Sequence, residues 1–333
     1  MIRKSYTYDD LILEPAFSNV KSRQDVDISV QLGPYRYGHP ILVANMKIMG
    51  LDMAKVITRD GGLALLHRFD DAWEQQSKFH SISNKDSVGF SLGVNRESYD
   101  DFWDLWQLTA CNIWCVDIAH GDSQQAVDMV TFLKSHKGIG FDPIVIAGNV
   151  ATASGARRLW RAGADAVKVG VGEGSVCSTR IQTGHGVPMM TALMNIHQER
   201  ELYHPGKIII ADGGIRSAGD CVKALCFSEF VMVGNLFAGC EETPYKPELI
   251  DGKLWKKYEG SSTLKNRNIE GVKGYVPFTG TYYEVLEGLL DGIRSGCSYS
   301  GVDSVKKLQD DPQFYEVSPA ALTKNGPHDI KLT

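Results

Sequence analysis

The sequence predicts a closed (β/α)8 barrel. Three observations predict it: eight short apolar runs closed by turn residues, helix-like stretches between them, and no break in composition along the repeat. The runs are ILVANM (41–46), LALLH (63–67), VGFSLG (88–93), IWCVDIA (113–119), PIVIAGN (143–149), AVKVGVG (166–172), KIIIADGG (207–214) and FVMVGNL (230–236). Most show little polar alternation, as parallel strands buried on both faces require. Between them LDMAKVITRD, SQQAVDMVTFLKSH, TASGARRLWRAG and SAGDCVKAL set apolar residues near three- and four-residue spacing, the pattern of a helix with one buried face. An open, doubly wound sheet is the second arrangement that such alternation allows. In a barrel the active site lies at the C-terminal ends of the strands, which selects the residues to read.

Two segments fall outside the repeat. Residues 1–40 read as an N-terminal extension over the lower mouth of the barrel, and 237–280 as a long polar flap after the eighth strand. TYYEVLEGLLDGIRSG then closes the barrel, and 318–333 reads as a mobile tail. The 333 residues thus form one domain, 43% apolar and 23% charged, as in soluble globular proteins. No segment approaches the roughly 18 apolar residues of a membrane span, and MIRKSYTYDD has no apolar signal core, so a cytoplasmic protein without a membrane partner is expected. A net charge of −5 argues against nucleic acid as a partner. The seven cysteines are scattered, without a CxxC pair or zinc-like Cys/His spacing, which argues against a disulfide framework and a structural metal.

Strand ends six, seven and eight carry GVGEGSVC, ADGGIRSAGD and VGNLFAG. Loops after strands seven and eight of a barrel are the usual phosphate cradle, because their backbone amides converge on one anion. Gly213, Gly214, Gly234 and Asn235 permit that close approach and Ser175 adds a hydroxyl, although any one of these loops is equally an ordinary tight turn. Asp212 is placed either to accept hydrogen bonds from a ribose diol or to cap the next helix. Cys177 lies in a polar, glycine-rich loop and not on an apolar face; backbone amides or a nearby cation would favour its thiolate. A loop cysteine taken alone is more often incidental. Thr179 reaches the same centre and relays a proton if a carboxylate lies close, which Glu270 in NIEG supplies. Asp117, ending strand four, either orients an amide or ribose of a second ligand or makes a salt bridge across the barrel mouth, and Asn149, ending strand five, is equally open between a ligand role and a structural one. His67 and Arg68 read as a solvated loop, and Trp103, Trp106 and Trp114 as packing.

YTYDDLILEPAFSNVKSRQDVD, VDIAHG, AGNVAT, GVGEGSVCSTRIQTGHGVP, IIADGGIRSAGD and EGVKGYVPFTG together resemble the IMP dehydrogenase and GMP reductase family, from about residue 6 to residue 305. The order G-x-G-x-G-S-x-C-x-T is the specific part; the separate glycines are not. The resemblance implies a (β/α)8 barrel assembled as a homotetramer, acting on a purine nucleoside monophosphate. It implies that Cys177 attacks C2 of the purine and that the covalent adduct exchanges hydride with a nicotinamide cofactor. Ser175, Gly213, Gly214, Gly234 and Asn235 would then hold the 5′-phosphate and Asp212 the ribose. Met46, Ser261, Arg267 and Gly271 would complete the substrate site, and Asp117, Ala119, Asn149 and Thr179 the cofactor side. The backbone carbonyls of Gly172, Gly174 and Cys177 match a site for a monovalent cation such as potassium.

Two features favour the reductase branch. HRFDDAWEQQSKFHSISNKDSVGF runs straight from strand two into strand three without the CBS insertion usual in dehydrogenases. TLKNRNI, between Ser262 and Glu270, contains no Arg-Tyr pair to activate water. The resemblance therefore implies NADPH, with NADH or NAD as the other choices, and protonation of departing ammonia by Thr179 and Glu270. An IMP dehydrogenase lacking the CBS module, converting IMP to XMP with NAD, and a nucleotide-binding homologue without turnover are the alternatives. The sequence departs from the family pattern at Lys47, where an aspartate is usual, at Glu173, where a proline is usual, and in YEGSS (258–262).

Overall fold

The computed structural model describes residues 2–138, 142–260 and 272–322. Eight parallel strands make up the central sheet: β1 (Ile41–Val43), β2 (Ala64–Leu66), β3 (Val88–Leu92), β4 (Ile113–Asp117), β5 (Ile144–Val150), β6 (Ala166–Val169), β7 (Ile208–Asp212) and β8 (Phe230–Val233). Neighbours in sequence are neighbours in space, and β8 pairs back onto β1 through Val231–Ile41, Met232–Leu42 and Val233–Val43. That pairing excludes an open doubly wound sheet. Only the seam between β1 and β2 lacks a hydrogen-bonded ladder, so the barrel is nearly closed.

Seven of the eight apolar runs contain their strand and outlast it, while β5 continues one residue past its run to Val150. ILVANM is strand only through Val43, AVKVGVG only through Val169, and KIIIADGG only through Asp212. The overshoot is the point at which the chain leaves the ladder and becomes the rim.

Helices α1 (Leu51–Arg59), α2 (Ala72–His80), α3 (Arg96–Thr109), α4 (Gln124–Ser135), α5 (Ala153–Ala162), α6 (Met189–Tyr203), α7 (Ala218–Leu225) and α8 (Tyr282–Tyr299) form the outer layer. Most start at a side-chain cap that satisfies an otherwise orphaned amide: Asp71, Asn95, Ser123, Thr152, Ser217 and Thr281 each accept from the backbone N–H three residues on. The caps fix where each upper loop ends.

Side chains of the strands alternate between the two layers. Phe90 and Trp114 face outward, with Trp114 edge-on to Phe102 of α3 at 4.8 Å. Ser91 faces inward, where its Oγ accepts from Asn45 Nδ2 at 2.8 Å. The upper interior of the barrel is therefore polar, and Asn45, Ser91 and Lys168 are all buried there.

The N-terminal extension has two destinations. A hairpin of Val30–Leu32 and Tyr35–Tyr37 buries Leu32 and Tyr37 at the lower mouth, Tyr37 lying 6.2 Å from Phe230 at the start of β8. The earlier part runs elsewhere: Leu11–Leu13 pairs antiparallel with Phe314–Glu316, and buried Tyr8 reaches the upper rim.

The segment after β8 carries a sheet of its own, where the sequence reads as a long loop. Strands β9 (Glu248–Ile250), β10 (Lys253–Glu259) and β11 (Lys273–Pro277) are antiparallel. Lys256 pins this sheet to the barrel: buried, it donates from Nζ to the carbonyls of Cys240 at 2.6 Å, Glu241 at 3.1 Å and Thr243 at 3.1 Å. Among the described residues no helix is long and apolar enough to cross a membrane.

Candidate active site

A single cleft opens at the C-terminal ends of the strands. The loop after β6 forms one wall. It leaves the ladder at Gly170 (φ +150°), where a Cβ would overlap the carbonyl oxygen of Asp212, and turns again at Gly172 (φ +86°). A side chain at Gly170 would thus force apart the ends of β6 and β7. Beyond the turn, the Cys177 amide donates to the Gly174 carbonyl at 2.9 Å, and the Cys177 thiol donates to Thr179 Oγ1 at 3.1 Å. Thr179 opens a short helix, Thr179–Thr183, so thiol and hydroxyl are held by one turn of chain.

Cys177 differs in kind from the other cysteines. It is partly exposed on the cleft, whereas Cys111, Cys115, Cys221, Cys226, Cys240 and Cys297 are buried. Burial pushes the thiols of Cys111, Cys115, Cys221 and Cys297 up to about 12 and that of Cys240 to about 11, which leaves them protonated and unreactive.

The opposite wall is the glycine cradle. Gly213 (φ +120°) and Gly214 (φ +75°) follow β7 in left-handed conformations. Gly234 follows β8, where a Cβ would fall 2.7 Å from the Tyr258 hydroxyl, and Asn235 opens the next short helix. Burial raises the Tyr258 phenol, with Asp212 adding to the effect, so the hydroxyl over the cradle keeps its proton.

An ionic triad occupies the floor. Lys168 Nζ lies 2.7 Å from Asp117 Oδ1 and 3.1 Å from Asp212 Oδ2, and also donates to Asn45 Oδ1 at 3.1 Å. Burial alone would push the ammonium down, but the two carboxylates outweigh it and hold Lys168 above the ordinary lysine range. Asn149 Nδ2 donates to Asp212 Oδ2 at 2.8 Å and to the Gly170 carbonyl at 3.0 Å. Strand ends β4, β5, β6 and β7 are thereby joined under the cleft.

The cleft brings together Met46, Asp117, Ala119, Asn149, Gly172, Gly174, Ser175, Cys177, Thr179, Asp212, Gly213, Gly214, Gly234 and Asn235. Ser261, Arg267, Glu270 and Gly271 lie outside the described residues. Of the two roles open to Asp117, the ion pair is present, and the residue lines the cleft as well. Asp212 caps no helix, since Ser217 caps α7.

Sequence reasoning misses Lys168, Asn45 and Tyr258, and misplaces His67, while Arg68 is exposed, as a solvated loop predicts. His67 is buried and not on a solvated loop, and Arg68 lines the cleft, donating from Nε to the Asp117 carbonyl at 3.0 Å. One signal was present: a lysine inside the otherwise apolar AVKV run cannot be buried without a partner.

The two other departures meet each other. Lys47, just past β1, lies 3.7 Å from Glu259 on β10, and Lys257 and Lys273 approach the same carboxylate at 3.3 and 3.5 Å. Burial would raise Glu259, but the three lysines outweigh it and hold the carboxyl below its usual range. A positive residue at 47 is matched by a negative one at 259.

Fold and cleft define a (β/α)8-barrel protein with a cysteine loop facing a glycine cradle. The family model described as IMP dehydrogenase / GMP reductase domain matches residues 5–328, and the chain belongs to that family. It is similar to "GMP reductase" of Staphylococcus carnosus (strain TM300), with 37% identity over 319 residues, covering 92% of this chain and 95% of that protein. "GMP reductase" of Staphylococcus aureus (strain JH9) is 35% identical over 314 residues, covering 92% of this chain and 94% of that protein; the protein from strain Newman matches equally.

Proposed function

We propose that the chain is a GMP reductase-like oxidoreductase that converts GMP to IMP and ammonia through a covalent adduct at Cys177. The observation that carries this reading is the 3.1 Å contact between the Cys177 thiol and Thr179 Oγ1, on a loop that faces the cradle across one cleft. The resemblance to proteins named GMP reductase supports the same direction of reaction.

In this reading the 5′-phosphate rests on the amides around Gly213, Gly214, Gly234 and Asn235 with the Ser175 hydroxyl, and Asp212 takes the ribose. Cys177 sulfur attacks C2, and the bond from C2 to the exocyclic nitrogen breaks as Thr179, with Glu270, relays a proton to it. Ammonia leaves. Asp117, Ala119 and Asn149 line the same cleft and, in this reading, would face the nicotinamide. The cofactor, NADPH in this proposal, supplies a hydride to C2 when bound. The carbon–sulfur bond then breaks, and Cys177 returns to thiolate as IMP departs.

Gly172, Gly174 and Cys177 offer backbone carbonyls, the hard oxygen donors a potassium ion takes, although the Gly174 oxygen already accepts the Cys177 amide. A homotetramer belongs to the same reading. Absorbance at the nicotinamide band tests it: GMP with NADPH is expected to consume NADPH. Reduction of NAD in the presence of IMP and no oxidation of NADPH with GMP would identify a dehydrogenase instead. Silence in both assays with nucleotide still bound would identify a binding protein.

A further inference from the structure

Glu173 has no part in the chemistry above, yet its side chain occupies the cleft. Its carboxylate, 11% exposed, is ion-paired with Arg180 on the short helix that follows the nucleophile. The same side chain reaches across to the cradle. Oε2 lies 3.6 Å from the Cβ position of Gly214, and Glu173 Cβ lies 3.2 Å from that of Gly213. The glycine turns of the cradle therefore lie beside a carboxylate whose other oxygen, Oε1, is paired with Arg180.

Arg180 offsets part of this charge, at Oε1 and from outside the cleft lining, and no described cation that lines the cleft adds to it. The lining cations are Arg68 and Lys168; Lys168 is engaged by Asp117 and Asp212, and Arg68 donates to the Asp117 carbonyl. Arg180 is engaged by Glu173 itself. A phosphate dianion at the cradle meets like charge where solvent screens it poorly. A hydroxyl in the same place meets a ready acceptor.

We propose that Glu173 is a specificity-determining residue for the 5′ end of the ligand: its carboxylate accepts a hydrogen bond from a free 5′-hydroxyl and opposes a 5′-phosphate. The substrate class thereby widens from purine nucleoside monophosphates to unphosphorylated purine nucleosides. The inference rests on the reading of Cys177 as nucleophile toward a purine C2, and alters only what the far end of the ligand carries.

Guanosine and GMP, each with NADPH, form the test pair, in the wild-type chain and in Glu173→Gln, which removes the charge and keeps the shape. Wild-type kcat/KM for the two ligands is expected to agree within tenfold. In Glu173→Gln the ratio of GMP to guanosine should rise at least tenfold, through gain for GMP and loss for guanosine. Calorimetric Kd values without cofactor should move the same way. An unmoved ratio, or an equal fall for both ligands, overturns the inference while GMP turnover leaves the proposed function standing. If neither ligand oxidises NADPH, the proposed reaction fails, and the ratio of the two Kd values still decides the role of Glu173.

Discussion

Lys47 and Glu259 meet at 3.7 Å across the junction between the loop leaving β1 and the flap strand β10. Glu259 is only 6% exposed, so its charge depends on the lysines around it. Lys47→Met leaves Lys257 and Lys273 in place and is expected to cost about 1 kcal/mol. Glu259→Gln strands three ammonium groups and is expected to cost about 2–4 kcal/mol. The exchanged pair Lys47→Glu with Glu259→Lys should recover part of the loss of Lys47→Glu alone. Denaturant unfolding of wild type, Lys47→Glu, Glu259→Lys and the double exchange gives the coupling; strict additivity would show that the pair does not matter.

The proposed role of Cys177 carries a separate expectation. Cys177→Ala should lower turnover of GMP by about 10⁴-fold or more while Kd for the nucleotide stays within about threefold. Iodoacetamide should modify Cys177 first, because the other six cysteines are buried, and bound nucleotide should protect it. Mass mapping that finds Cys111 or Cys240 labelled first would contradict the burial seen here.

Lys168 sits at the centre of a closed charge network, and removing it leaves two carboxylates facing each other. Lys168→Met is expected to cost about 3–5 kcal/mol. Asp117→Asn should cost less, since Asp212 remains to hold the ammonium. The folded-state value of Lys168 is raised, so its contribution is complete below the unfolded lysine value of 10.5 and is lost only as pH rises through the folded one. Stability differences measured at pH 6 and pH 9 should therefore agree.

His67 gives the opposite kind of pH dependence. Burial depresses it from 6.5 to about 4, against the pull of Asp70 and with the help of Lys78 and Lys47. The ring is thus neutral at pH 7, and its 3.6 Å approach to Asp70 is not an ion pair there. With the folded value below the unfolded one, the unfolded chain binds more protons between them. Stability should fall as pH drops from 6.5 toward 4, by up to about 3 kcal/mol from this residue. His67→Phe should flatten that part of the curve; an unchanged slope would place the acid sensitivity elsewhere.

Much of the architecture is legible in the sequence because its cause is local. Each strand is an apolar run buried on both faces, and composition alone marks it. The runs overshoot at their C-terminal ends for a physical reason: Ala44, Asn45 and Met46, or Gly170 to Gly172, remain apolar or small where the backbone has already turned outward to line the cleft. The cysteine loop and the glycine cradle are legible because each lies within a few residues of chain. What is lost is long-range. Lys168 finds its partners 51 and 44 positions away at Asp117 and Asp212, and no spacing rule links them. Tyr8 reaches Gly214 from the far end of the chain, whereas the sequence reads as an extension over the lower mouth. The flap reads as loop because its strands are exposed on one face and rich in lysine, so little hydrophobic pattern remains.

The backbone contact at Gly170 has a mechanical consequence. Where no room exists for a single methyl group, the strand bearing the cysteine loop and the strand ending in Asp212 are keyed together like adjoining stones. A substitution at the tip, such as one at Glu173, is then expected to leave the root of the loop, and with it the position of the Cys177 sulfur, unchanged.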